Sequence, residues 1–277
     1  MKIMPLWRPF RLACAAAHVF GALLRVWFVF PWCGPSKQRT QIANWSRATL
    51  DIFGLRTEMS IQPSGGGDAC LMVANHVSWL DVFAIWSQTD TTFVAKSEVG
   101  RWPVIGSLAQ RLGVIFIDRS KRSDALSVSR EIASCLRQGR SVCIFPEGTS
   151  THGREVQRFQ SALFQSAVEA NVAIQPIAIR YFRETGVLST EAAFTGEMSL
   201  VQSMWQLACA KSIIVDIDYL APIASTGLGR RDLASEARAA IERRLREPAP
   251  VWPQAANVLE LTDDLFAEVP SFDPAVH

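Results

Sequence analysis

Short apolar runs alternate with amphipathic segments between residues 71 and 245. The apolar runs have the length of buried strands, and apolar residues recur with helical spacing in the segments between them. The pattern predicts strands at 71–74, 93–95, 114–117, 142–145, 173–181 and 213–220. It predicts helices at 78–88, 101–112, 123–138, 159–169 and 233–245. This alternation is typical of an α/β fold, here a layered mixed sheet flanked by helices.

The amino-terminal region has a different pattern. Residues 12–33 are almost continuously apolar, which is long enough for the ~20 residues that cross a bilayer. His18 and Arg25 lie inside this run, and each is costly in the middle of a membrane. A second helix is predicted at 37–53. The two helices favour a membrane-associating hairpin that lies in the interface, and a single transmembrane helix with a snorkelling Arg25 is the alternative.

Three segments follow from these patterns. Residues 1–57 are predicted to be membrane-anchoring helices, and residues 58–247 to be the α/β domain. A glycine run at 65–67 marks a turn near the start of that domain. Residues 248–277 are acidic and contain prolines, which predicts a loose tail.

Composition and charge support contact with lipid. Hydrophobic residues make up 49% of the chain and charged residues 19%, which excludes a disordered protein. Nine tryptophans and fifteen phenylalanines fit a protein that meets lipid, although a large apolar core is the alternative explanation. The net charge is +6 over residues 1–60 and −6 over residues 247–277. A basic front end suits an anionic membrane surface, and no basic stripe or motif indicates nucleic-acid binding.

The six cysteines do not form a metal-binding or disulfide pattern. None belongs to a CxxC pair, and none lies near a histidine at zinc spacing. We expect buried free thiols in a reducing compartment, and no metal site.

The first segment with chemical potential is Asn75–Asp81, which follows a predicted strand. On one continuous helix His76 and Asp81 would point ~140° apart, too far for contact. If His76 lies in a loop and the helix begins at Ser78, the Asp81 carboxylate can reach back to the imidazole. A histidine oriented in this way is a general base for an alcohol or a thiol. In the alternative, Ser78 and Asp81 form a capping box and His76 is a bystander.

Two further strand ends place polar groups at the edge of the sheet where ligands bind in open α/β folds. Glu147, between Pro146 and Gly148, could accept hydrogen bonds from substrate hydroxyls; alternatively this is a surface turn in which Thr149 or Ser150 caps a helix.

Arg119 follows the strand at 114–117 and suits a phosphate, which an arginine binds through two parallel hydrogen bonds. A salt bridge to Asp118 or Glu131 is the alternative for Arg119. Lys96, at the end of the strand at 93–95, is a second candidate cation.

The order and spacing of these blocks resemble the 1-acylglycerol-3-phosphate O-acyltransferases, over roughly residues 40–220. The NHxxxxD motif is at Asn75–Asp81, a block ending in F-I-D-R is at Gly113–Arg119, and FPEGT is at Phe145–Thr149. A later apolar strand with a central proline corresponds to Val172–Tyr181. One departure is Gln160, where many members have a basic residue or histidine.

The resemblance implies a membrane-associated enzyme on the cytoplasmic face of the inner membrane. Such an enzyme moves a fatty acyl group from acyl-CoA or acyl carrier protein to the sn-2 hydroxyl of 1-acyl-sn-glycerol-3-phosphate, giving phosphatidic acid. It implies no metal and no cofactor beyond the acyl donor. Another lysolipid acceptor, such as lyso-ornithine lipid, and a non-catalytic lipid-binding role are the alternatives.

The resemblance also assigns residues. His76 is expected to take the proton from the acceptor hydroxyl, and Asp81 to orient the imidazole. Glu147 is expected to bind the glycerol or neighbouring loop amides. The complete set of expected substrate-binding residues is Lys96, Arg119, Glu147, Gly148 and Thr149.

Overall fold

The computed structural model describes residues 7–59, 61, 68–118, 122–210, 212–250 and 252. The predicted turn at 65–67, the candidate cation Arg119 and nearly all of the predicted tail at 248–277 lie outside the described residues.

Helices and strands alternate through the described part of the chain. The helices are α1 (Trp7–Phe28), α2 (Pro35–Ile52), α3 (Leu80–Trp86), α4 (Ser97–Gly100), α5 (Ile105–Arg111), α6 (Arg122–Arg137), α7 (Gln165–Ala170), α8 (Leu200–Cys209) and α9 (Arg230–Arg246). The strands are β1 (Leu55–Glu58), β2 (Leu71–Ala74), β3 (Thr92–Lys96), β4 (Ile115–Ile117), β5 (Val142–Ile144), β6 (Ile174–Arg183) and β7 (Ile213–Tyr219). Short 3₁₀ helices lie at Phe30–Trp32 and Ser161–Phe164.

These seven strands form one sheet in the order β1-β7-β6-β2-β5-β3-β4. Neighbouring strands are parallel except β6 and β7, which are antiparallel. The sheet is therefore mixed, and the prediction of an α/β fold is confirmed. The carboxyl ends of β2, β3, β4 and β5 meet at one edge, so that the loops after these strands lie side by side.

Two apolar cores cover the two faces of the sheet. The first contains Leu80 of α3, Phe53 after α2 and Leu207 of α8. The second contains Ile132 of α6 and Ile241 of α9. The central strands are buried on both faces, which explains why they are continuous apolar runs in the sequence.

Helix α1 lies against the body of the protein. Arg11 Nη1 donates to the carbonyl oxygen of Ala210 at 2.8 Å, and His18 Nε2 lies 3.1 Å from the carbonyl oxygen of Trp45 in α2. The opposite face of α1 is apolar and exposed. Together with the following 3₁₀ turn it presents Phe10, Phe20, Leu24, Trp27, Phe28 and Trp32.

The structure corrects two predicted helices. The helix predicted at 101–112 begins only at Ile105, as α5, because Pro103 and Val104 interrupt it and Val104 has a φ of 68°; the short helix α4 precedes the predicted range. Gly106 allows α5 to approach α4 closely, since a Cβ there would lie 2.2 Å from the carbonyl oxygen of Gly100. The helix predicted at 159–169 begins as a 3₁₀ turn and becomes α7 only at Gln165.

Three elements, β1, α4 and α8, were not predicted. β1 pairs with β7 from Leu55 onward, so residues 55–57 belong to the sheet rather than to the amino-terminal helices. Helix α8 begins with a capping box formed by Ser199 and Gln202.

Candidate active site

The first residue after β2, Asn75, bonds through its side chain to the main chain of β6. Asn75 Nδ2 donates to the carbonyl oxygen of Ile179 at 2.9 Å, and Asn75 Oδ1 accepts from the Ile179 amide at 2.8 Å. These two bonds join the end of β2 to β6, which continues past it. The main chain is then able to turn away from the sheet at His76.

His76 and Asp81 are in direct contact. His76 Nδ1 lies 2.7 Å from Asp81 Oδ2, because α3 begins at Leu80 and Asp81 is in its first turn. The same oxygen accepts from the Val77 and Ser78 amides at 2.8 and 3.0 Å. The carboxylate therefore caps the turn and also binds the imidazole, so His76 is not a bystander.

This contact fixes which nitrogen of His76 is available. An ionised carboxylate can only accept hydrogen bonds, so Nδ1 bears the proton and neutral Nε2 keeps a lone pair. Among the described residues, no group hydrogen-bonds Nε2. The Asp81 side chain is fully buried, whereas the His76 side chain is 23% exposed. The pair thus has a buried anionic end and an accessible basic end.

Aromatic rings hold the imidazole from its face. The His76 ring stacks on Phe145 with the ring centroids 4.2 Å apart and an interplanar angle of 21°. Phe145 in turn stacks on Phe93 of β3 at 5.9 Å. The ring of His76 is therefore fixed both by the carboxylate and by the residue that follows β5.

Glu147 joins two loops through their amides. Its Oε1 accepts from the His76 amide and its Oε2 from the Gln157 amide, each at 2.8 Å. Burial raises the pKa of Glu147 from its ordinary value, although these two amide bonds act in the opposite direction. Of the two partners expected for this carboxylate, the loop amides are the ones that it contacts.

Known proteins resemble this chain in sequence and in fold. A family model described as acyltransferase matches residues 56–180. A lyso-ornithine lipid O-acyltransferase of Pseudomonas aeruginosa is 37% identical over 207 residues, which cover 75% of this chain and 79% of that protein. A 1-acyl-sn-glycerol-3-phosphate acyltransferase of Neisseria gonorrhoeae is 34% identical over 190 residues, which cover 68% of this chain and 73% of that protein.

The chain belongs to the acyltransferase family.

A solved structure shows the same fold at lower sequence identity. The crystal structure of the 1-acyl-sn-glycerophosphate acyltransferase PlsC from Thermotoga maritima matches with a TM-score of 0.64 and 19% identity. The match covers 90% of this chain and 97% of that chain. The fold is therefore shared, and the two relatives confirm the family resemblance seen in the motifs and the prediction that the protein is an acyltransferase.

Several main-chain bonds hold the loop after β2 in place in this acyltransferase. The Thr151 amide donates to the carbonyl oxygen of His76 at 2.8 Å, and the Phe194 amide donates to the carbonyl oxygen of Val77 at 2.9 Å. Ser150 Oγ donates to the carbonyl oxygen of Phe194. The loops after β2, β5 and β6 are therefore bonded to one another around His76.

Three other predicted binding residues, Gly148, Thr149 and Lys96, lie at the same edge of the sheet. Gly148 has a φ of 79°, which suits glycine in the turn after β5, and Thr149 is exposed beside it. Lys96 is exposed at the end of β3, where it pairs in register with Ile117. The structure thus places Lys96 at the carboxyl edge.

Sequence reasoning missed a partner of Asp81. The Tyr181 hydroxyl donates to Asp81 Oδ1 at 2.6 Å, although the two residues are 100 positions apart. Tyr181 lies in the strand that corresponds to the fourth family block, and it is one of only two tyrosines in the chain. Its rarity is a weak signal that does not reveal the contact.

Proposed function

We propose that this acyltransferase transfers a fatty acyl group from a thioester donor, acyl-CoA or acyl carrier protein, to the sn-2 hydroxyl of 1-acyl-sn-glycerol-3-phosphate, giving phosphatidic acid. The observation that supports this most directly is the 2.7 Å contact between His76 Nδ1 and Asp81 Oδ2, which leaves Nε2 as a base at an accessible edge. The names of the Neisseria relative and of the Thermotoga structure support the same acceptor.

The proposed transfer uses one proton movement at the enzyme. His76 Nε2 takes the proton of the acceptor hydroxyl as its oxygen attacks the thioester carbonyl. Asp81 stabilises the imidazolium that forms, and the donor leaves as a thiolate that needs no strong acid. The chain has no G-x-S-x-G nucleophile motif, so we propose direct transfer without an acyl-enzyme and without a metal or other cofactor.

A second acceptor is supported by a specific observation. The Pseudomonas relative, at 37% identity, is named for lyso-ornithine lipid. A phosphate on the acceptor would favour a cation at the carboxyl edge of the sheet, and Lys96 is placed there. We therefore rank the phosphorylated acceptor first and lyso-ornithine lipid second.

The direct experiment is a radiolabelled-thioester assay of the purified protein against a panel of lysolipids. We expect 1-acyl-sn-glycerol-3-phosphate to give the highest kcat/KM, and His76→Ala to lower kcat by ~10²–10⁴-fold with an unchanged Tm. Nearly full turnover by folded His76→Ala would exclude His76 as the base. A higher kcat/KM on lyso-ornithine lipid would move the assignment to the second acceptor.

Lys96→Ala separates the two acceptors within the same assay. We expect Lys96→Ala to raise KM by roughly tenfold for the phosphorylated acceptor, because a charge-assisted contact to the phosphate is lost. Because Lys96 is exposed, its removal should not disturb the fold, and KM for a phosphate-free acceptor should rise by less than twofold. Arg243→Ala, which removes an exposed cation of α9 on the far face, is the matched control. An equal effect on both acceptors would show that Lys96 does not bind the phosphate.

We also propose that the enzyme lies on the cytoplasmic face of the inner membrane. Within the described residues, one helix, Arg8–Phe28, is long and apolar enough to cross a bilayer. The bonds of Arg11 and His18 to the body would break if α1 left it to span the membrane, which favours the monotopic hairpin. The exposed apolar face of α1 would then enter the acyl boundary.

Vesicle binding tests this placement. Replacing Phe20 and Phe28 with aspartate should lower binding to vesicles of phosphatidylethanolamine and phosphatidylglycerol by more than tenfold, since each buried aromatic ring contributes roughly 1.5–3 kcal/mol. Leu126→Asp, at an equally exposed position on the opposite face of the sheet, is the control and should bind as the parent protein does. Unchanged binding by the α1 variant would contradict the placement.

A further inference from the structure

Tyr181 reaches the His76–Asp81 pair because β6 is longer than its neighbour. β2 ends at Ala74, opposite Ile177, whereas β6 continues to Arg183. The extension runs beside the catalytic loop, and residues 177, 179 and 181 all face the first core. Tyr181 is 2% exposed, and its hydroxyl lies at 2.6 Å from Asp81 Oδ1.

The two oxygens of Asp81 have different partners. Oδ2 accepts from His76 Nδ1 and from the Val77 and Ser78 amides, whereas Oδ1 accepts from Tyr181. A fully buried carboxylate is costly unless its lone pairs are satisfied. Within the described residues, Tyr181 is the only hydrogen-bond donor seen at Oδ1.

We propose that Tyr181 is a positioning residue for the acyl transfer, which holds the Asp81 carboxylate with Oδ2 against His76 Nδ1 and shares its negative charge. This inference rests on the proposed role of His76 as the base. Tyr181 is too deeply buried to touch the substrate, so it acts only through Asp81.

The hydroxyl of Tyr181 remains a donor at every working pH. Burial, together with the neighbouring Asp81 charge, raises the pKa of Tyr181 well above its ordinary value. The other titratable groups that face Asp81 are Glu147 and Cys143. Burial raises the pKa of the Cys143 thiol well above its ordinary value, so it stays neutral, and the Glu147 oxygens are bonded to amides.

Tyr181→Phe removes the hydroxyl and keeps the ring. We expect kcat to fall by about tenfold to a hundredfold, as when an ionised group loses a charge-assisted hydrogen bond, while KM for both substrates changes by less than about threefold. A carboxylate oxygen without a donor binds a proton more tightly, so the His76–Asp81 pair should become deprotonated at a higher pH. The acid limb of the kcat/KM profile should therefore move upward by at least about half a pH unit.

The matched control is Tyr219→Phe. Tyr219 is the other tyrosine, is 1% exposed and belongs to the same core, but its hydroxyl does not bond to Asp81. It should leave the acid limb in place. A loss of folded protein that is the same at every pH lowers the whole profile without moving the limb, so the limbs are compared only over the pH range in which both variants stay folded.

The outcomes separate the two proposals. The inference is supported if the acid limb of the kcat/KM profile moves to higher pH in Tyr181→Phe and stays in place in Tyr219→Phe. An unmoved limb in Tyr181→Phe overturns it, whatever the change in kcat, because Tyr181 would then be only structural. If His76→Ala retains nearly full turnover, the proposed function fails first, and the inference fails with it.

Discussion

Strand β6 places two adjacent side chains in two buried polar networks on opposite faces of the sheet. Tyr181 faces α3 and bonds to Asp81, which bonds to His76. Arg180 faces α9 and bonds to Asp216 of β7. Both networks are built around buried aspartates, yet only one of them ends in a histidine.

The network on the α9 face consists of two buried ion pairs with an outer contact from Arg244 to the exposed Glu247. Arg180 Nη2 lies 2.7 Å from Asp216 Oδ2, and Arg244 Nε lies 2.6 Å from Asp218 Oδ2. The side chains of these four residues are at most 8% exposed. Burial and the neighbouring Asp218 raise the pKa of Asp216, and the two guanidinium groups oppose this rise. Among these four residues two positive and two negative charges compensate each other, and Arg244 also lies 2.6 Å from Glu247, so this network suits holding α9 on the sheet.

The comparison shows what distinguishes a reactive network from a structural one. Arginine stays protonated at working pH and the two aspartates of the α9 network are fully buried, so neither buried ion pair presents a basic nitrogen to a ligand. The other network ends in the imidazole of His76, whose side chain is 23% exposed and whose Nε2 has no hydrogen-bond partner among the described residues. An accessible imidazole nitrogen, rather than burial of charge, sets the His76–Asp81 network apart.

Asp81→Asn tests most directly whether the His76–Asp81 network is reactive rather than structural. The asparagine cannot hold the same imidazole tautomer or stabilise an imidazolium, so kcat should fall by ~10²–10⁴-fold. The expected change in Tm is small, since a neutral amide costs less to bury than a carboxylate. A variant that loses only Tm and keeps its kcat would show that Asp81 merely caps the turn before α3.

Arg180→Met should lower the free energy of unfolding and leave catalysis nearly unchanged. It leaves Asp216 buried without its main partner, which costs about 3–5 kcal/mol. Thermal unfolding should show a Tm lower by roughly 6–20 °C, while kcat well below Tm stays within about twofold of the parent value.

Arg183→Met on the same strand is the control for that measurement. Its salt bridge with Glu191 is half exposed, so its loss should cost less than about 1 kcal/mol. Equal losses of Tm in the two variants would contradict the structural role of the α9 network.

The sequence predicted the elements whose signals are local. The strands that flank the site are short apolar runs, and the helix break after His76 follows from the five-residue spacing to Asp81. The contacts of Tyr181 and Arg180 could not be predicted, because their partners lie in other elements, Asp81 in α3 and Asp216 in β7, at separations of 100 and 36 positions. Sequence spacing gives no register between such segments.

The elements that were missed or corrected differ in whether the sequence carries a local signal for them. Ser199 and Gln202 form a capping box that is readable in the sequence, so α8 was predictable. The break between α4 and α5 depends on the close packing of Gly106 on Gly100, which is a tertiary contact. A proline within the predicted helix was the only local sign of that break.

The smallest expected effect belongs to Glu147→Gln, which tests whether burial or hydrogen bonding dominates at a carboxylate beside the reactive network. The glutamine amide nitrogen would face one of the two backbone N–H groups, at a cost of ~1–3 kcal/mol.

Because burial raises the pKa of Glu147, its titration favours the folded state below the unfolded pKa, and this contribution is lost as pH rises through the folded pKa. The glutamine does not titrate, so the stability advantage of the parent protein over the variant should be widest on the acid side and should narrow toward neutral pH. Urea unfolding at several pH values measures this, with the exposed Glu155→Gln as the control. An advantage that widens with pH would mean that the two amide bonds outweigh burial.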